Sequence, residues 1–180
     1  MHSINAKLIN FGLFQLGWFS CVLSAAAGYP WMGAVLASAI IGWHVWHAPL
    51  PEAELKLIGV AIVIGAVWDS LLVWWGWLAY PSGMLVSFAA PYWIVIMWAL
   101  FATTLNVSLR WLKDRWAYAV LFGAVGGPLA YFAGQRLGAV KFVETEYALL
   151  GLLWGWALFT PGLLALSRRY DGYPTAAANA

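Results

Sequence analysis

Six long apolar stretches constrain this sequence more than any other feature. A helix needs about 20 mostly apolar residues to cross a hydrocarbon core of about 30 Å. The stretches that approach this length, separated by Gly, Pro or charged residues, are Ala6–Ala27, Trp31–His47, Lys56–Leu78, Pro91–Leu109, Trp116–Gly138 and Glu146–Ser167. A transmembrane barrel would instead show segments of about 10 residues with alternating polarity, which the sequence lacks. The pattern predicts an all-α fold, a polytopic transmembrane bundle of six helices.

The composition excludes the water-soluble classes. Hydrophobic residues make up 64% of the chain and charged residues 9%, against about 25% charged in soluble domains. Sixteen charged side chains cannot cover the surface of a soluble protein of 180 residues. The single cysteine, Cys21, excludes a disulfide scaffold. A net charge of +2 gives no reason to expect nucleic acid as a partner.

The basic residues predict the orientation in the membrane. With six spans, both termini and the second and fourth loops lie on one side, together with seven Lys and Arg residues; the other side has Arg136 and Lys141. By the positive-inside rule, both termini are cytoplasmic. We expect residues 1–168 to form a single transmembrane domain and residues 169–180 a short disordered cytoplasmic tail. The loop Arg110–Arg115 is interpreted as a topology anchor, with a lipid-headgroup site as the alternative.

Asp69 is the only carboxylate deep within a predicted span. Counted from Lys56 at the helical rise, it lies about 20 Å into the membrane. Tyr131, at a similar depth, and Arg136 are the expected partners inside the bundle. Three interpretations stay open: a structural Asp hydrogen-bonded within the bundle, a proton-linked or substrate-binding Asp, or a misplaced span boundary.

A second set of polar residues lies in the cytoplasmic half of the predicted spans. Its members could converge on one cytoplasm-facing cavity, and they are Asn10, Gln15, His44, His47, Thr103, Thr104, Asn106 and Thr160. His44 and His47 share a helix face close to Glu52 and Glu54, which makes a metal site conceivable. The Trp-rich run around them also fits an interfacial belt, and the chain has only three histidines. We therefore predict no metal and no cofactor.

Small residues recur at every fourth position of the fifth span: Gly126, Ala130, Gly134 and Gly138. Small residues let membrane helices approach closely, so another helix is expected directly on this stripe. A substrate lying in the same groove is the alternative.

Several phrases of the sequence resemble a known family. They are Asn10-Phe11, Gln15 and Trp18-Phe19 in the first span, Pro91-Tyr92-Trp93, Trp98, Phe101–Leu105 and Ser108-Leu109 in the fourth, and Gly126–Tyr131, Gly134 and Leu137-Gly138 in the fifth. Together they resemble, over about residues 4–168, the bacterial inner-membrane family catalogued as domain of unknown function 2878. The resemblance implies an integral protein of the bacterial inner membrane and transfers no catalytic residue. The family is associated with gene clusters for cyclopropane-fatty-acid-synthase-like and flavin amine-oxidase-like proteins, which points to envelope lipid modification.

Three functions remain in competition at this stage. The first is a non-enzymatic partner in membrane-lipid or fatty-acid modification or envelope stress response, with membrane lipids and lipid-modifying enzymes as its partners. The alternatives are a small proton-coupled transporter or permease that uses Asp69, and an intramembrane enzyme that uses the second polar set. No catalytic residue is predicted, because no nucleophile has a base within reach, and homo-oligomerisation stays open.

Overall fold

The structure, a computed structural model, describes residues 4–174 as a helical bundle. The helices are α1 (Ile4–Ala26), α2 (Pro30–Trp46), α3 (Pro51–Trp74), α4 (Tyr92–Leu105), α5 (Trp116–Arg136) and α6 (Thr145–Arg169). A 3₁₀ turn, Arg110–Leu112, lies between α4 and α5. Two-residue strands, β1 (Leu78–Ala79) and β2 (Lys141–Phe142), pair antiparallel, with Leu78 opposite Phe142. The predicted all-α bundle of six helices is confirmed over this range.

Proline and glycine mark several helix ends. Pro30 and Pro51 occupy the first turns of α2 and α3, where a missing N–H leaves no hydrogen bond unmade. Gly138, with φ of 90°, follows the end of α5. Its N–H donates to the carbonyl of Gln135, and the next N–H donates to the carbonyl of Gly134. These two bonds form a Schellman motif, which requires the left-handed backbone that glycine adopts readily.

Successive helices run in opposite directions and give the bundle two distinct ends. The basic end holds the start of α1 and α3, the end of α2, α4 and α6, and the 3₁₀ turn before α5. The hairpin end holds the β1–β2 pair and the long connection between β1 and α4. Helix α4 is the central element, because it packs against α1, α2, α3 and α6, whereas α5 packs mainly on α6.

Four of the helices in the described part are long and apolar enough to cross a membrane: α1, α3, α5 and α6, with 21 to 25 residues each. Helix α4 is apolar but has 14 residues, about 21 Å at the helical rise, and α2 has 17 residues. Helix α4 is shorter than its predicted span because the chain leaves helical geometry after Leu105. That all six helices cross the membrane therefore stays a prediction.

The bundle is apolar outside and polar at several points inside. Large hydrophobic side chains such as Ile9, Val63 and Leu158 are more than half exposed. Asp69 and Glu54 are fully buried. Charged residues are almost never fully buried in soluble proteins, which also do not expose such a large apolar surface. The arrangement fits a membrane protein, whose outer surface contacts lipid.

The chain after α6 folds back onto the basic end. The N–H of Leu50 donates to the carbonyl of Gly172 at 3.1 Å, and Tyr173 is 2% exposed. The prediction of a disordered tail from residue 169 is therefore not met up to residue 174. This segment is held by hydrogen bonds from its backbone and side chains to the rest of the bundle. The remainder of the predicted tail, residues 175–180, lies outside the described residues.

Candidate functional site

An apolar cavity of about 550 Å³ lies between α1, α4, α5 and α6. Its walls are mostly aromatic and small side chains. They include Phe11, Phe14, Trp18, Trp93, Trp98, Phe101, Gly126, Ala130, Tyr131, Gly134 and Trp156. Ligand pockets in proteins span about 300–1,000 Å³ and are mostly apolar with a few polar groups. By volume and lining, this cavity can hold an apolar ligand.

Two sets of small residues on α5 have different surroundings: Gly123 with Gly127, and Gly126 with Ala130 and Gly134. This difference corrects the predicted packing stripe. Gly123 and Gly127 lie against Trp156 of α6, where any added Cβ would clash. At Gly126, by contrast, a Cβ would meet no atom within 4 Å. Gly126, Ala130 and Gly134 line the cavity, and Gly138 lies beyond the helix end. The prediction that a helix packs on Gly126, Ala130, Gly134 and Gly138 is wrong, because α6 packs on the neighbouring face.

Asp69 binds three aromatic donors inside the bundle. The hydroxyls of Tyr131 and Tyr80 donate to its Oδ1 at 2.5 Å and 3.2 Å. The indole N–H of Trp98 donates to its Oδ2 at 2.7 Å. The carboxylate thus joins α3 to α4, α5 and the segment after β1, and its three partners all line the cavity.

Of the two partners expected for Asp69, the structure shows Tyr131. Arg136 instead places its guanidinium over the ring of Phe132, 5.1 Å from the ring centroid. Arg136 is the last residue of α5 and lies more than one turn nearer the hairpin end than Tyr131. Its guanidinium can therefore extend out of the apolar region. Tyr80 and Trp98 were not anticipated as partners, because the rotation of α4 and the path of the chain after β1 cannot be read from periodicity.

A stack of aromatic rings, which includes Trp98 of the Asp69 group, forms one wall of the cavity. The rings of Trp98 and Trp156 stack at 4.6 Å between centroids, and Phe101 meets Trp156 edge to face at 5.1 Å. The indole N–H of Trp156 and the hydroxyl of Thr160 have no hydrogen-bond partner among the described residues. This wall combines a large apolar area with few polar atoms.

The predicted polar set does not form one cavity. Asn10 donates to the carbonyl of Thr103 at 3.1 Å and accepts from the N–H of Ser108, so it fastens α1 to the end of α4. Thr103 and Thr104 donate to carbonyls of their own helix. Gln15 lines the apolar cavity, as Thr104 and Thr160 also do. The convergence expected of the whole set is therefore wrong, although these last three members do line one cavity.

Glu54 is the centre of a buried network at the basic end. His44 Nε2 lies 2.8 Å from its Oε2. The side-chain amide of Asn106 and the N–H of Gly172 donate to its Oε1 at 2.5 Å and 3.0 Å. His47 lies apart, with Nδ1 2.8 Å from the carbonyl of Trp43. The two histidines thus have different partners, and residues 4–174 hold no group of three His, Cys, Asp or Glu side chains that could bind a metal ion.

Charged side chains extend this network to the chain after α6. Arg110 donates to Asp171 at 2.5 Å, and Lys113 Nζ lies 3.2 Å from Asp171 and 2.6 Å from Asn106 Oδ1. Burial lowers the pKa of Lys113, although the negative charge of Asp171 opposes the shift. Burial raises the pKa of Asp171, but the hydrogen bond from Arg110 and the charges of Lys113 and Arg110 outweigh it and hold the pKa below its ordinary value. Of the loop interpreted as a topology anchor, Arg110 and Lys113 therefore point inward.

Tyr173 completes the closure of the basic end. Its hydroxyl donates to the carbonyl of His44 at 2.6 Å, and its ring lies 4.9 Å from the His44 ring. Burial, followed by the negative charge of Glu54, raises the pKa of Tyr173 to about 12. The hydroxyl therefore stays protonated at neutral pH and remains a donor.

The comparisons with known proteins agree with the sequence resemblance. The family model described as Protein of unknown function (DUF2878) matches residues 7–162. No curated protein and no solved structure matches the chain. The matched range contains all the residues that line the cavity and the complete Asp69 group. The chain therefore belongs to the DUF2878 family of proteins of unknown function.

Proposed function

We propose that this membrane protein holds the hydrocarbon chain of a membrane lipid in its cavity and serves as a non-enzymatic partner of lipid-modifying enzymes in the bacterial inner membrane. The cavity is the observation that carries the proposal. It is large enough for a ligand and is lined almost entirely by apolar atoms. A bilayer supplies hydrocarbon chains at high concentration to any such cavity that opens toward it.

The polar groups near the cavity support binding rather than chemistry. All three donors around Asp69 are directed at its carboxylate, which leaves none of them free to act on a ligand. Thr160 is buried without a hydrogen-bond partner among the described residues, so no base is positioned to activate its hydroxyl. The family resemblance and this cavity together support the proposed role in lipid or fatty-acid modification.

Lipid retention by the purified protein tests the proposal. Wild-type protein extracted in a mild detergent should carry about one lipid per chain in native mass spectrometry. Ala130→Trp places an indole in the cavity and should remove that lipid. Val125→Trp, on the lipid-facing side of α5, adds the same side chain outside the cavity and should retain it. Equal retention by both variants would contradict the proposal.

A cellular comparison separates the proposed role from transport. Deleting the gene should change the profile of modified fatty acids in the membrane, and a strain carrying Ala130→Trp should reproduce that change. A proton-coupled transporter would instead respond to Asp69→Asn, with loss of uptake and an unchanged lipid profile. Lipid mass spectrometry of the deletion, Ala130→Trp and Asp69→Asn strains distinguishes the two functions.

A further inference from the structure

We infer that the ligand of the cavity is an anionic phospholipid of the leaflet at the basic end, with one acyl chain in the cavity and its phosphate held by Lys7 and Arg115. The inference rests on the proposed function and adds the headgroup, the leaflet and the direction of the chain. Four features of the structure lead to it: the side on which the cavity opens, its length, its closed end and the charges at its other end.

The cavity opens sideways, toward the surrounding lipid. Phe11 and Phe19 of α1, and Phe122 and Leu129 of α5, line the cavity, yet each exposes more than 40% of its surface. These residues form the rim of an opening between α1 and α5, two helices that have little direct contact with each other. Because the rim is apolar and faces outward, a ligand enters from the bilayer.

The length of the cavity matches one leaflet. On α1 the lining runs from Phe11 to Val22, and on α5 from Phe122 to Gly134. At 1.5 Å per residue these segments are about 16–18 Å long. One leaflet contributes about half of the hydrocarbon core of about 30 Å. A single acyl chain of one leaflet therefore spans the cavity along the helices.

The hairpin end of the cavity is closed by bonded aromatic side chains. The rings of Tyr80 and Trp93 meet edge to face at 5.7 Å. The Tyr80 hydroxyl is held by Asp69, and the Trp93 indole N–H donates to the carbonyl of Ser82 at 3.1 Å. Because the polar atoms of Tyr80 and Trp93 are already hydrogen-bonded, they are not available to a polar headgroup. The apolar methyl terminus of an acyl chain therefore fits this end. The headgroup then lies at the basic end.

Two cations flank the opening at the basic end. Lys7 lies one helical turn before Phe11 on the same face of α1. Arg115 is the residue directly before α5, the helix that carries Phe122. The side chain of Lys7 forms no hydrogen bond or ion pair with residues 4–174. Arg115 contacts the ring of Trp111, 5.7 Å from the centroid, but no carboxylate within the same residues.

Three other cations at this end are already paired with carboxylates. Arg110 and Lys113 bind Asp171, and Arg168 pairs with Asp114. Lys7 and Arg115 are therefore available for an anion at the opening, and the phosphate of a phospholipid is the anion that the bilayer brings there.

Competition between two phospholipids tests the inference. The full chain is placed in nanodiscs of equimolar phosphatidylglycerol and phosphatidylethanolamine, transferred to detergent, and the retained lipid is identified by native mass spectrometry. Wild-type protein should prefer phosphatidylglycerol. Lys7→Gln and Arg115→Gln should each lower the preference by about fivefold, the effect of one cation near a membrane surface. Lys56→Gln, which removes an exposed charge at the same end from a helix outside the cavity, should leave the preference unchanged.

The outcomes separate this inference from the proposed function. The double variant Lys7→Gln/Arg115→Gln should still retain about one lipid per chain with no headgroup preference. An unchanged preference in the double variant, or retention of phosphatidylethanolamine in preference to phosphatidylglycerol by the wild type, would overturn the inference and leave chain binding intact. Absence of retained lipid from the wild type itself would overturn the proposed function.

Discussion

Replacing Asp69 tests whether its carboxylate holds the bundle together. Asp69→Leu leaves three buried donors without an acceptor: the hydroxyls of Tyr80 and Tyr131 and the indole N–H of Trp98. Each unpaired buried donor costs about 1–3 kcal/mol. Because the two hydroxyls can bond each other once the carboxylate is gone, we expect the lower end of the sum, a loss of about 3 kcal/mol in the free energy of unfolding. For a chain of this length the midpoint of thermal unfolding should fall by about 6–12 °C.

Asp69→Asn provides the matched comparison. The amide oxygen of the asparagine can still accept from both tyrosines. Its NH₂ group, however, faces the indole N–H of Trp98, so two donors meet there. The loss should be about 1–2 kcal/mol, roughly half of that in Asp69→Leu. Val67→Leu, on the lipid-facing side of the same helix, should change the free energy of unfolding by less than about 0.5 kcal/mol. Thermal unfolding in one detergent measures all three. If Asp69→Leu is as stable as Asp69→Asn, the carboxylate does not organise the bundle.

The packing, the ionic network and the orientation give three further outcomes. Gly127→Leu should lower the free energy of unfolding by about 1–3 kcal/mol in detergent, because its side chain meets the facing indole of α6, whereas Gly126→Ala should not; equal losses would place both glycines in the same interface. The pKa of Asp171 lies below its ordinary 3.8, so the ionised carboxylate stabilises the fold above about pH 4 and this contribution is lost as the pH falls through the lowered pKa. Asp171→Asn should therefore unfold at a lower temperature than wild type at pH 6, with the difference shrinking below about pH 4; a constant difference would refute this assignment. Reporter fusions after Ser82 and after Glu144 should both read as periplasmic, and a cytoplasmic signal at either site would refute the six-span orientation.

The number of helices and one hydrogen bond of Asp69 are the features of the structure that could be predicted most directly from the sequence. The helix count follows from the lengths of the stretches and from the Gly and Pro residues between them. The link between Asp69 and Tyr131 follows from depth, because the rise per residue is fixed and both residues could be counted from a membrane interface. Depth alone does not give the rotation of a helix about its axis, and so Trp98 was not recognised as a partner of Asp69.

The glycine pattern of α5 shows a different limit. Gly126, Ala130 and Gly134 have the same spacing as Gly123 and Gly127, so both sets fit a helix contact equally well. The structure puts α6 against Gly123 and Gly127 because Trp156 fills the space that their missing side chains leave. That choice depends on a side chain of another helix, which spacing within α5 cannot reveal.

The network at the basic end was hidden for a third reason. Its members are far apart in the sequence, as with Glu54 and Gly172, which are separated by 118 residues. The tail appeared unable to fold because few of its residues are apolar. Its order comes instead from backbone and carboxylate bonds to partners on α3 and beside α5. The sequence feature that could have indicated this order is the single Asp that lies between two tyrosines directly after the basic end of α6.

The contact between Glu54 and Gly172 also sets an order of events during synthesis. Helix α3 is made long before residue 172 leaves the ribosome, so Glu54 lacks one of its hydrogen-bond donors until α6 and the turn after it have been made. The same delay applies to the backbone N–H of Leu50, whose acceptor is the Gly172 carbonyl. A nascent chain that stalls within α6 therefore keeps a buried acid incompletely paired. The turn that follows α6 therefore closes the basic end only after all six helices have been made.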